Sequence, residues 1–310
     1  MLRSKAALTA AIHQGGRTVL VVNTRSRKGR RHYPGLAGRL AAAGVPVHAT
    51  FPVEDPTRLH QVLTQALALT PDLLIFGGGD GSLTAAAGRL AHRDTALGVL
   101  PLGTTNNLAR SLGLPLDLPG AIATLAHGKV ADVDLARAGG NLFANMASVG
   151  LSVRDAQAAP AALKRALGRG AYLLTALRHL PTHPPFKATL TVDGAQQVLW
   201  THQLNIANGA YHAGRRIARD ASVDDRRLLV YRLGDAHRVR VTGQTLDQVL
   251  RGPRRALAAG PYLTAGELQL ATDPPLPLDL DGEVRGTTPV RVTLLPQALR
   301  VLVPPAFVDT

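Results

Sequence analysis

Leu73-Leu74-Ile75-Phe76-Gly77-Gly78-Gly79-Asp80-Gly81-Ser82 decides the fold. An apolar run stops at three glycines, an aspartate and a fourth glycine. Leu83, Ala86, Ala87 and Leu90 then recur at helical spacing. Strand, glycine turn and helix form a unit that sets bare backbone N–H groups and a helix N-terminus against a phosphate. Glycine suits the turn because a Cβ would block close approach and restrict the backbone.

A second unit follows. Leu97-Gly98-Val99-Leu100 reads as a short buried strand, and Pro101-Leu102-Gly103-Thr104-Thr105-Asn106-Asn107-Leu108-Ala109-Arg110 turns into a helix closed by Gly113 and Pro115. Either turn alone reads equally well as a tight connection between strand and helix. The two together, spaced as neighbouring strands of one parallel sheet, are a more specific signal.

Working outward, the first half alternates strand and helix. Thr18 to Asn23 is a β-branched strand, a basic turn from Thr24 to Arg31 leads to a helix through Leu36 and Leu40, Val45 to Thr50 is a second strand, and Leu59 to Leu69 is a helix. Repeated βα units with short connections predict a parallel sheet covered on both faces. Ligands of such sheets sit at the carboxyl ends of the strands, the edge that carries both glycine turns. A helix over 121–127 ends at Gly128, and from Val130 short β-type runs separated by Gly, Asp and Pro dominate. Helices are expected at 161–180 and 241–257. The first twelve residues, basic and then mildly apolar, read as an irregular lead-in, too weak for a signal peptide.

The chain has 310 residues, 45% of them hydrophobic but only 4% aromatic, so its core is built mainly of Ala, Leu and Val. It has no cysteine, which excludes disulfides and thiolate metal sites. The formal net charge of +14 favours anionic partners, although arginine-rich composition alone gives the same number. Scarce aromatics argue against a stacking platform for single strands, and no nucleic-acid-binding signature is present. No apolar run reaches the length of a membrane span.

Gly78-Gly79-Asp80-Gly81-Ser82 resembles the GGDGT signature of the diacylglycerol kinase-like lipid kinases, with Ser for Thr; NAD kinases and phosphofructokinases carry related loops. The second unit resembles the lipid kinase PxGTxNDFAR segment, with Asn107 where Asp is usual. Similarity continues at Ala207-Asn208-Gly209-Ala210-Tyr211, at Asp224-Asp225 before Leu228-Leu229-Val230, and at Leu280-Asp281-Gly282-Glu283, in the family's order. The resemblance implies an α/β nucleotide-binding domain, residues 1–130 with a returning tail at 297–310. A β-sandwich lipid-substrate domain over 131–296 completes it.

The resemblance also assigns chemistry. Gly77, Gly78, Gly79 and Gly81 would present N–H groups to ATP phosphates. Asp80 would either hold the loop by accepting hydrogen bonds or bind Mg²⁺ through water. Ser82 and Thr104 cap helices by default, with phosphate contact as the added expectation, and Asn106 joins the set. Asn23 and Ser26 lie in a turn where the family has NPxSG, from which Thr24 and Arg27 depart; its basic residues either face the nucleotide or are solvated. Thr50 matches a nucleotide-contacting Thr. Asp281 and Glu283 form either an ordinary Asp-Gly hairpin turn or the site of the base that takes the acceptor's proton, most often at Glu283. Asp225, with the carbonyls of Ser222 and Arg227, matches a loop that holds a structural magnesium, although Arg226 stands where Gly is usual. Glycines are partly lost in His212-Ala213-Gly214-Arg215-Arg216, and Arg219 replaces a usual proline.

The expected activity is ATP- and Mg²⁺-dependent phosphorylation of a lipid hydroxyl, by resemblance that of diacylglycerol, with a sphingoid base, monoacylglycerol or phosphatidylglycerol as alternative acceptors. The rivals are NAD kinase and a weakened protein that only binds nucleotide or lipid. The expected setting is cytoplasmic, with transient peripheral association at an anionic membrane surface and no nucleic-acid partner; a homodimer is compatible with it. The basic, apolar 161–178 stretch lies either on the bilayer or on the sandwich.

Overall fold

The computed structural model describes residues 2–150, 184–212, 214–217, 221–233 and 263–309. The helices expected at 161–180 and 241–257, Ala213 and Arg219 lie outside the described residues. The chain divides into two compact units, Met1–Leu135 with Pro296–Thr310, and Ala136–Leu295.

The first unit holds strands β1 (Thr18–Asn23), β2 (Ala49–Val53), β3 (Leu73–Gly78) and β4 (Ala96–Pro101) and the start of β5 (Lys129–Ala138). Its helices are α1 (Lys5–His13), α2 (Arg27–His32), α3 (Leu36–Ala42), α4 (Leu59–Ala68), α5 (Asp80–Leu90), α6 (Asn107–Ser111) and α7 (Leu118–His127). The sheet runs β2-β1-β3-β4, all parallel, with Val22 opposite Gly77 and Gly77 opposite Leu100. Strands buried on both faces need apolar residues at every position, and β3 and β4 are buried throughout. One face packs Leu20, Val22, Leu73 and Ile75 against Leu8 and Ile12 of α1, Leu36 and Leu40 of α3 and Ile122 and Leu125 of α7. Helices α4 and α5 pack against the strands as well, burying Leu63, Ala66, Leu83, Ala86, Ala87 and Leu90.

Two expectations change here. The N-terminal stretch is a helix, capped by Ser4, whose side chain accepts the Ala7 N–H; Leu8 and Ile12 anchor it in the core. The second strand runs Ala49–Val53, not Val45 to Thr50, so Thr50 pairs with Leu20, three residues before Asn23 and the carboxyl edge.

The second unit contains the end of β5, β6 (Asn141–Phe143), β7 (Met146–Gly150), β8 (Phe186–Val192), β9 (Ala195–Thr201), β10 (Gln203–Ala207), β11 (Tyr211–His212) and β12 (Arg215–Arg216). Then come β13 (Leu228–Leu233), β14 (Leu263–Ala265), β15 (Glu267–Asp273), β16 (Pro277–Leu280), β17 (Glu283–Thr287) and β18 (Val290–Val303), whose last residues belong to the first unit. Antiparallel pairing joins β18-β15-β8-β9 in one sheet and β14-β13-β10-β7-β16-β17 in another. Alternate residues turn inward: Ala147, Val149, Leu204, Ile206, Val230, Leu278 and Leu280 from the second meet Phe186, Leu190, Leu268, Leu270 and Val292 from the first. That interleaving is a β-sandwich core.

Candidate active site

At the carboxyl edge of the parallel sheet β3 and β4 end on Gly78 and Pro101, directly opposite each other. The two loops leaving them touch backbone to backbone. A Cβ on Gly103 would meet the Cα of Gly79 at 2.5 Å and the Oδ1 of Asn106 at 2.7 Å, and one on Gly79 would meet the Cα of Gly103 at 3.3 Å. Gly103 therefore needs glycine for space, and Gly79 sits in a tight contact. Gly78 is constrained similarly, since its Cβ would fall 2.6 Å from the Phe76 ring. The Leu102 N–H donates to the Gly78 carbonyl at 3.1 Å and continues the pairing into the loops.

Helix α5 opens on Gly79, which gives it no side-chain cap. The carboxylate of Asp80, the first helical residue, turns to the neighbouring loop. It accepts the N–H of Leu108 at 3.2 Å, with further bonds from the Asn107 and Asn106 amides and the Thr105 hydroxyl. Helix α6 also lacks a cap of its own, because its N-cap Asn106 sits in the left-handed region at φ 51° and its side chain makes no cap bond; Asp80 supplies the missing acceptor. Burial pushes the Asp80 carboxyl above its ordinary range, and the bonds from Leu108, Asn107, Thr105 and Asn106 pull it back. Of the two roles the sequence left open for Asp80, its contacts are those of loop-holding. The amide of Asn106 donates to the carbonyls of Pro101 and Gly103, while its Oδ1 is buried without a partner.

The end of β1 joins the same edge. Asn23 donates from Nδ2 to Ser82 Oγ at 3.1 Å and accepts the Arg25 N–H at 3.1 Å. Ser26 caps α2 by accepting the Gly29 N–H at 2.9 Å. Thr24, where the resembled turn has Pro, uses its N–H to bond the Val53 carbonyl at 3.0 Å, a bond proline cannot make. Ser82 is the third residue of α5 and Thr104 lies before Asn106, so neither is the N-cap expected of it. Gly81 falls in the first turn of α5, and Gly77 packs against Val22 and Leu102. Thr50 stands back from the edge, accepting a hydrogen bond from the Tyr33 hydroxyl at 3.3 Å. Two further residues belong to the cluster: Lys28, whose ammonium lies 3.5 Å from the Gly103 carbonyl, and Arg110, which holds the Thr105 carbonyl at 3.0 Å. The basic run after Asn23 was the sequence signal for Lys28; Arg110 carried none beyond its place in the second motif.

In the second unit, Asp281-Gly282 is the two-residue turn between β16 and β17, with φ of 52° and 93°. Positive φ at both positions is the reason Asp-Gly suits it. The Asp281 carboxylate accepts the N–H groups of Ala144, Asn145 and Met146 at 2.7, 3.1 and 2.7 Å, and its own N–H donates to the Met146 carbonyl. Glu283 is half exposed and accepts from Arg285 Nε at 3.0 Å. Asp279, two residues before Asp281, is pushed above the ordinary carboxylate range by burial. Asp281 therefore anchors the hairpin, and Glu283 is the carboxylate with access to solvent.

Ser222, Asp225 and Arg227, expected to hold a structural magnesium, form a loop that is already closed. Asp225 accepts the Ser222 N–H at 3.1 Å and the Arg227 N–H at 3.3 Å, and the Arg227 guanidinium lies 3.5 Å from the same carboxylate. A guanidinium beside Oδ2 opposes a dication at that oxygen, and both oxygens already accept backbone N–H groups, so this set does not fit the ion. Among the described residues no three His, Asp or Glu side chains cluster as metal ligands, and no helix is long and apolar enough to cross a membrane.

A model of the diacylglycerol kinase catalytic domain matches residues 17–138, and one of the YegS C-terminal NAD kinase beta sandwich-like domain matches 145–303. A probable lipid kinase YegS-like of Klebsiella pneumoniae is 30% identical over 271 residues, covering 84% of this chain and 88% of that protein. A diacylglycerol kinase of Bacillus subtilis is 28% identical over 287 residues, covering 89% and 91%. The crystal structure of a diacylglycerol kinase from Bacillus anthracis superposes with a TM-score of 0.76 over 94% of this chain and 99% of that one, at 24% identity, a likeness of fold.

Proposed function

The chain belongs to the diacylglycerol kinase-like lipid kinases, and from that premise we propose that it transfers the γ-phosphate of ATP to a hydroxyl of diacylglycerol. The observation that carries this reading is the uncapped start of α5. The first N–H groups of a helix have no acceptor within it, and Gly79 supplies none. The Asp80 carboxylate, which would repel a phosphate, is drawn instead onto the amides of 106–108. A triphosphate at this edge meets bare amides, the positive end of an eleven-residue helix and the ammonium of Lys28.

These groups bind and orient the donor, and most of the catalysis of phosphoryl transfer consists of positioning and charge stabilisation. Glu283 takes the proton of the acceptor hydroxyl as it attacks; Asp281 holds the turn that carries Glu283 and moves no proton. Magnesium travels with the ATP phosphates and supplies charge neutralisation when bound. The lipid is drawn from an anionic membrane surface to which the basic chain associates peripherally.

Labelled ATP offered with diacylglycerol, other hydroxylated lipids and NAD, with products identified by mass spectrometry, tests the reading. Phosphatidic acid is the expected product. Label only on NAD, or nucleotide binding without transfer to any acceptor, would overturn it.

A further inference from the structure

We propose that the 221–227 loop is closed by a cation carried on the chain itself: the Arg227 guanidinium stands beside Asp225 in place of a structural divalent ion, and the second unit holds its fold without magnesium. Three groups converge on the Asp225 carboxylate. The Ser222 N–H approaches Oδ2 at 3.1 Å, the Arg227 N–H approaches Oδ1 at 3.3 Å, and Arg227 Nε lies 3.5 Å from Oδ2. Both oxygens are engaged, and an opposite charge stands beside Oδ2 on a side chain two residues away.

The backbone between them is built for this closure. Arg226 takes the left-handed conformation, φ 56°, where glycine would be at ease. Ala221, Val223 and Asp224 are buried on one side of the turn and Leu228, buried at the start of β13, pins the other. The Asp224 N–H also bonds Ser222 Oγ at 3.3 Å. Magnesium demands near-octahedral oxygen ligation at about 2.0–2.1 Å and gives up its waters reluctantly. At this carboxylate it would have to expel a guanidinium already present at no cost of association. The reasoning is independent of the phosphoryl transfer proposed above, and its test reads unfolding, not turnover.

Thermal unfolding of the full chain is measured with EDTA and with millimolar magnesium, for the wild type, R227L, R227K and D225N. The wild-type midpoint is expected to move by less than about 1 °C between the two conditions. R227L, stripped of the internal cation, is expected to melt lower in EDTA and to regain roughly 3 °C or more with magnesium, because an ion that binds only the folded state stabilises it. R227K keeps a charge and should resemble the wild type. A wild-type midpoint raised by magnesium and no longer raised in D225N would overturn the proposal. So would an R227L protein that melts like the wild type and ignores magnesium. Should R227L not fold in EDTA, folding on addition of magnesium supports the exchange of one cation for another, and failure in both conditions counts against it.

Discussion

The main chains of Gly79 and Gly103 pass so closely that a Cβ on Gly103 falls 2.5 Å from the Cα of Gly79. The contact links the loop after β3 to the loop after β4, and so fixes the start of α5 relative to that of α6. Gly103→Ala forces the loops apart. Overpacking of this kind costs about 1–3 kcal/mol, and displaced amides lose their aim at the phosphates. A lowered midpoint of chemical unfolding and a raised KM for ATP are expected; an unchanged KM would show that the crossing does not shape the nucleotide site.

Asp80 couples the same two loops by chemistry where the glycines do so by space. Asp80→Ala leaves the amides of Asn106, Asn107 and Leu108 without their acceptor, and a buried orphan donor costs on the order of 1–3 kcal/mol. Loss of kcat/KM by about a hundredfold is expected with the fold retained, equivalent to roughly 3 kcal/mol of transition-state stabilisation. Asp80→Asn keeps one carbonyl acceptor and should be intermediate. Equal activity in all three proteins, measured with saturating lipid, would remove Asp80 from the machinery.

Asp281 and Glu283 should separate by readout. Asp281→Asn disturbs the bonds from Ala144, Asn145 and Met146, so it lowers stability. Glu283→Gln removes an exposed pair with Arg285 and a like charge near Asp279, so it leaves stability within about 0.5 kcal/mol. If Glu283 is the base, its variant cuts kcat and spares the KM for ATP. Full turnover in both variants would show that the proton leaves by another route.

How much of this was legible in the sequence differs by element. The two glycine turns could be placed because an apolar strand, a run of glycines and a helical repeat are all local signals. The start of β2 was misjudged because Val45-Pro46-Val47 has strand composition, yet only the rungs from Val19–Ala49 onward pair; partnering is a tertiary property. Helix α1 was missed because nine residues of modest amphipathicity do not announce a helix, and its stability comes from docking Leu8 and Ile12. The sharing of Asp80 between two helices is invisible in a linear motif. So is the closure of the 222–227 loop by Arg227, since an arginine near an aspartate is in most sequences a solvated charge.

Far along the chain from the glycine turns, Arg300 is a buried cation at the return of β18 to the first unit. Its side chain, 9% exposed, pairs with Asp94 and Asp132 and donates to the Arg3 carbonyl, while Arg3 pairs with Asp94 and Asp72. Asp94→Ala leaves a buried guanidinium short of its main partner. A loss of about 3 kcal/mol in unfolding free energy is expected, with kcat per folded molecule unchanged. A smaller loss than in an exposed control such as Glu267→Ala would mean that the network is dispensable.

His212 offers a pH test of the second unit. Its Nδ1 lies 2.7 Å from the Tyr231 hydroxyl, and burial lowers its pKa from 6.5 to about 4. A folded value below the unfolded one means that the neutral ring stabilises the fold. That contribution is complete above pH 6.5, declines as pH falls, and is gone below about pH 4. The ring is only partly covered, so the contribution is on the order of 2 kcal/mol, below what full burial would give. His212→Phe keeps a ring in the space and removes the titration. Urea unfolding at pH 7 and pH 4.5 should therefore show the wild type losing more stability than the variant over this interval. The Tyr231 hydroxyl, left with the Met146 sulfur at 3.7 Å, makes the variant less stable at pH 7. The decisive quantity is the difference in slope: parallel pH profiles would mean that His212 titrates as it does in the unfolded chain and that its burial does not favour the neutral form.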